Sequence, residues 1–209
     1  MATILIPPTY TKFTTSLVGL RTNALRFPGV VRAGGQTLEI PVDLWEFQAS
    51  TPKLTVEDAA NWRTFFAQLR GPGGRFYFGD PDNQTQRGVL GGTPLVKGAS
   101  QTGNSVNIDG ASASVENWMR KGDYFAIDVP SGHRELKMVT ADADTDSLGE
   151  VTLTFTPPFR ESPADNAAII TTNPTTVVQL TGEYTPWSGD RNKRIQVSFS
   201  AIEAVKIPS

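Results

Sequence analysis

Between Thr37 and Ser50 apolar and polar positions alternate. Leu38, Ile40, Val42 and Leu44 are separated by Glu39, Pro41 and Asp43, the pattern of a strand with one buried face. The pair Leu44-Trp45 breaks the alternation, and Phe47 and Ala49 carry it on in the other phase. A bulge accounts for such a switch. Pro41 has no N–H to give a ladder, which places it at a sheet edge or in that bulge. The period then lengthens. Ala59, Trp62, Phe66 and Leu69 recur at helical spacing, Thr55 is a suitable N-cap, Glu57 and Asp58 fill the first turn, and Gly71-Pro72-Gly73-Gly74 stops the run. Together they predict a helix over about 55–70. Arg75 to Phe78 reads as a strand closed by the turn Gly79-Asp80-Pro81.

The rest of the chain is read against that unit. Ahead of it, Ser16–Leu20 and Leu25–Phe27 read as two strands, followed by turns at Pro28-Gly29 and Gly34-Gly35. Val89 to Gly103 is rich in glycine and small polar residues, like a crossing between domains. Behind it, Ser105–Ile108, Tyr124–Ile127, Glu135–Thr140 and Val151–Phe155 form a series of short strands, as in a small barrel or sandwich. Near the end Ile195, Val197, Phe199 and Ala201 alternate with polar residues. That strand needs a sheet, and the Leu38–Phe78 unit is the simplest partner. The expected fold is mainly β. A discontinuous domain, 1–88 with 170–209, holds the helix, and a small β-barrel module, OB-like or galectin-like, is inserted at 89–169.

Charge and composition narrow the function. The formal net charge of −2 and the lack of a basic block remove the footprint of a duplex binder. Without cysteine there is no disulfide framework, thiolate metal site or cysteine nucleophile, as suits assembly in a reducing cytoplasm. The N-terminus lacks the basic start and cleavage site of a secretory signal, and no apolar run is long enough to span a membrane.

Candidate chemistry is sparse. Asp142, Asp144 and Asp146 begin a D-x-D-x-D pattern, but a calcium loop wants Gly and Glu where Ser147 and Leu153 stand, so a solvated turn is the expectation. His133 is the single histidine, with Ser131 beside it on what reads as a hairpin tip, a poor place for a triad. Asp123, Glu135 and Glu150 are the carboxylates a glycosidase would need, with nothing to fix their separation. No cofactor motif is present, and no enzymatic activity is expected. Trp118 and Trp187 are candidate stacking platforms for a sugar or base, against the plainer expectation that Trp118, Tyr124 and Phe125 form a module core. Trp45, Trp62, Phe65, Phe66, Phe76 and Phe78 are assigned to the first core or partly to a subunit interface. Leu38, Ile40, Pro41, Trp45 and Phe47 are the candidate interface positions. Arg21, Arg26 and Arg32 read as solvated strand positions or as a contact to an acidic partner.

Three blocks in order, EIPVDLWEFQASTP, the helix with FFAQLRG, and GRFYFGDPDNQTQRG, resemble the N-terminal half of distal tail proteins of long-tailed bacteriophages with non-contractile tails. GDYFAI, the stretch from ELKMVTADAD to NAAI, and RIQVSFSAIEA are similar to the second half. The likeness spans most of Phe27–Ala204. It lies in the order of the blocks, and GEVTLTFTPP alone recurs in other virion proteins. The resemblance implies a split β-sandwich with a helix and six copies in a ring. That ring continues the tail tube above and joins it to hub or fibre proteins below, at the distal end of the virion. The inserted module would project outward, in some relatives onto host saccharide. The alternatives are a carbohydrate-binding virion or cell-surface module and a minor capsid or head–tail joining protein.

Overall fold

The structure, a computed structural model, describes residues 4–8, 12–27, 36–183, 187–190 and 194–205, without side-chain detail for 23–27 and 36–42. In chain order the elements are β1 (Ile4–Leu5), β2 (Thr15–Phe27), β3 (Gln36–Ser50), α1 (Val56–Leu69), β4 (Arg75–Phe78), β5 (Gly92–Val96), β6 (Gly103–Ala111) and β7 (Tyr124–Asp128). They continue with β8 (Arg134–Val139), β9 (Val151–Phe159), β10 (Ile169–Ile170), β11 (Thr176–Leu180), β12 (Trp187–Gly189) and β13 (Ile195–Glu203). The protein is mainly β with a single α-helix among the described residues.

The strands fall into two sheets. The first runs β1-β4-β11-β13-β3-β2, with β12 also on β13, and only its β1–β4 pair is parallel. The second, β10-β7-β8-β9-β6-β5, is antiparallel throughout. Its ends approach each other where Leu95 bridges Ala168 and the Val96 N–H donates to the Ala167 carbonyl at 2.9 Å, leaving a nearly closed barrel. All strands of the second sheet lie between β4 and β11 of the first. The connection into it is shorter than the expected crossing, because β5 already lies within Val89–Gly103. The two stretches read as separate strands, Ser16–Leu20 and Leu25–Phe27, form one 13-residue strand, β2. The turns expected at Pro28-Gly29 and Gly34-Gly35 lie outside the described residues.

Local chemistry explains the helix. The Asp58 N–H donates to the Thr55 hydroxyl at 3.2 Å, capping one of the first free amides. At the other end Arg70 takes a left-handed conformation (φ 54°). Gly74 follows because a Cβ there would stand 2.3 Å from the Leu69 carbonyl oxygen. Ala59, Trp62, Phe65, Phe66 and Leu69 are buried against the first sheet. Phe65 meets Phe76 edge-on at 5.4 Å, and Phe66 lies 5.5 Å from Phe199. Contacts of this kind add about 0.5–1.5 kcal/mol per pair beyond the area buried.

The two sheets share a wall. Along β7, Tyr124 and Ala126 join the first core, whereas Phe125 and Ile127 join the barrel core. Leu136 of β8 also faces the first core. The barrel therefore leans on the sheet through strands apolar on both faces.

Candidate functional site

A cluster of charged side chains is buried at the seam between sheet and barrel. Glu203, at the end of β13, continues inward the register of Val197, Phe199 and Ala201, and its side chain is fully buried. Arg160, just past β9, donates Nη2 to Glu203 Oε1. The Trp45 backbone N–H donates to Glu203 Oε2 at 3.2 Å, and the Thr176 hydroxyl lies 3.0 Å from Oε1. Burial by itself raises the Glu203 pKa. His133, the Arg160 guanidinium and the Trp45 amide outweigh it and hold the carboxyl down to about 2.

Beside it Glu135 accepts from Lys137 Nζ at 2.6 Å and from the backbone amides of Arg160 and Glu161 at 3.4 and 3.3 Å. Lys137 is fully buried, lies 5.0 Å from the centre of the Phe159 ring, and donates to the Pro158 carbonyl at 2.8 Å. Burial lowers its pKa, and Glu135 opposes that. Two carboxylates stand against Lys137 and Arg160, which is what permits four such groups in an apolar seam. His133 Nε2 lies 3.4 Å from Arg160 Nη2 and 3.7 Å from Glu203 Oε1, and its buried Nδ1 has no partner. Glu203, Glu135, Lys137 and Arg160 bond to one another and to backbone groups of Trp45, Pro158 and Glu161, the geometry of a fastening.

A second polar knot holds the entry to the barrel. Asp123 is buried and accepts from the backbone amides of Arg87, Gly88 and Arg120 at 3.0, 3.0 and 2.9 Å. Gln86 accepts the Tyr124 N–H at 2.6 Å and donates to the Thr171 carbonyl at 3.1 Å. The chain's outgoing and returning passes are thus stitched together.

The third feature is the β2–β3 arm. β13 pairs with β3 only from Ser50 to Glu46. Beyond that β2 and β3 continue as a pair out to Phe27 and Gln36, on the order of 30 Å at about 3.3 Å per residue. The register jumps from Arg21↔Leu44 to Asn23↔Ile40. This is a bulge between Ile40 and Leu44, with Pro41 inside it; the Leu44-Trp45 pair, where the alternation breaks, is already back in regular pairing with Arg21 and Leu20.

The candidate residues distribute as follows. Trp45 and Phe47 are 2% and 0% exposed in the protein's own core, so they cannot form a surface between subunits. They share the inward register of Ala49. The side chains of Leu38, Ile40 and Pro41 lie outside the described residues, although their backbones run in the arm. Trp118 corrects the stacking expectation: it is fully buried, with its indole N–H donating to the Gly91 carbonyl at 3.1 Å. Trp187 is 49% exposed, on β12 of the first sheet and away from the barrel strands. Asp142, Asp144 and Asp146 accept backbone amides of Lys121, Asn117 and Leu148 at 2.8, 2.6 and 2.9 Å, which makes them loop fasteners. Glu150 pairs with Lys97 on the barrel surface. No helix among the described residues is long and apolar enough to cross a membrane.

Sequence reasoning missed Glu203 and Arg160. A signal was present for Glu203, a carboxylate on the inward register of an alternating strand, but Arg160 carries none. A scan against protein-family models and a search of curated proteins return no match.

Proposed function

We propose that this protein is a structural subunit of a bacteriophage tail tip, of the distal tail kind. In this reading it assembles with copies of itself into a ring between the tail tube and the hub or fibre proteins. The observation that carries the reading is the arm with its open edge. A ribbon of two strands is at best marginal in water. The outer edge of β2 is long, carries no Pro, and is unpaired among the described residues. Both features make sense in a subunit whose sheet is completed by its neighbours, and head-to-tail contacts between identical chains close into rings when the rotation allows.

The ordered sequence blocks supply the kind of ring. One face of the first sheet presents Gln48, Ser50, Thr181, Ser198 and Ser200 around Thr15, together with Arg21 and Glu46. A wall this poor in cations suits a channel through which DNA slides without being held. The test is sedimentation velocity and negative-stain microscopy of the purified chain. Closed rings of one copy number with a central opening are expected, and a chain that stays monomeric at every concentration reached contradicts the reading.

A further inference from the structure

The arm leaves the sheet at a point where no third strand among the described residues pairs with β2 or β3. β13 stops pairing with β3 at Ile202↔Glu46, and the same register would set Glu203 opposite Trp45. There the Glu203 side chain takes the Trp45 N–H, where a ladder would offer a carbonyl. Two residues on, Arg160 Nη1 donates to the Asp43 carbonyl at 3.4 Å. These two side chains are also bonded to each other. The Trp45 indole N–H, in turn, donates to the Leu136 carbonyl of barrel strand β8 at 2.8 Å. The bonds therefore grip β3 at Asp43 and Trp45, directly beside the register jump. Two of them come from the barrel side, through Arg160 and Leu136.

We infer that the Arg160–Glu203 pair is a brace that sets the angle at which the arm leaves the sheet, with the barrel as its foundation. A bulge bends and twists the strand that carries it, and a two-stranded ribbon has little stiffness of its own. The direction of the arm is therefore decided by the last bonds at its root. Arg160 is suited to this position because a planar guanidinium can offer one nitrogen to a carboxylate and another to a carbonyl. A load or partner that displaces the barrel moves Arg160 and the Leu136 carbonyl together, and so moves the arm. Arg160 and Glu203 are positioning residues in this account, which holds whatever surface the arm meets.

The chain has no cysteine, so single spin labels can be placed at will. One goes on the arm at Arg26→Cys and one on the exposed barrel loop at Leu148→Cys, in full-length protein diluted with unlabelled chain. Pulsed dipolar spectroscopy then reads the arm–barrel distance, and hydrogen exchange reads the Trp45 amide. The double variant Arg160→Met/Glu203→Met removes both charges together, so neither is left unpaired. The expected result is a broadened or displaced distance distribution. Trp45 exchange should quicken at least tenfold while the Phe125 and Ile127 amides of the barrel keep their protection. An unchanged distribution overturns the brace, and so does an equal loss of protection throughout the barrel. If the double variant does not fold, the same readings are taken on Arg160→Lys, whose ammonium reaches one of the two partners at a time. Broadening there supports the brace, and the wild-type distribution overturns it.

Discussion

Replacing Glu203 by Gln keeps the shape and the carbonyl acceptor but removes the charge from the centre of the seam. The ordinary pKa of 4.5 falls to about 2 in the folded protein. That drop of roughly 2.5 pH units corresponds to roughly 3 kcal/mol at about 1.4 kcal/mol per unit. Because the folded value lies below the unfolded one, the contribution is complete above about 4.5. It is withdrawn as pH falls toward about 2. Glu203→Gln should therefore cost about 3 kcal/mol at neutral pH, and the gap from wild type should close on acidification. Urea unfolding of both proteins across pH 7 to 2 measures this directly. A gap that stays constant across that range refutes the linkage to Glu203, and a gap below about 1 kcal/mol at pH 7 refutes the coupling argued from the structure.

Three further outcomes follow from the packing. Trp118→Ala should destabilise by about 3–5 kcal/mol, as expected for a large ring lost from a core, whereas Trp187→Ala should change stability by less than about 0.5 kcal/mol; thermal melts of both separate the two tryptophans. Asp123→Asn should cost about 1–3 kcal/mol, because backbone amides lose a charged acceptor, and limited proteolysis should then cut first near 82–91. Replacing 22–42 by a short turn should leave the sheet and barrel folded by circular dichroism and abolish self-association in sedimentation.

The parts of the fold legible in the sequence are those set by neighbours along the chain. Thr55, the Trp62/Phe66 stripe and Gly71–Gly74 delimit α1 because capping and helical periodicity are local properties. Pro41 marked the bulge for the same reason, whereas the Leu44-Trp45 phase break falls just past it, where pairing is regular. β5 was hidden by its glycines, since Gly91 and Gly92 both take positive φ, which reads as loop in any local window. The seam was hidden for a different reason. Glu203, Arg160 and Lys137 are brought together by strand order, and only their partners make such charges tolerable in a core. Trp118 was assignable to either a platform or a core from sequence. Its burial follows from the way β5 and the loop after β6 close over the barrel, which no periodicity reports.

The proposal that this chain is a tail-tip ring subunit is tested most directly by its place in the particle. Antibody–gold labelling of intact particles from the source, viewed by electron microscopy, should put gold at the far end of a long, non-contractile tail. Gold at the head or neck, or no label on intact and detergent-opened particles alike, would contradict it.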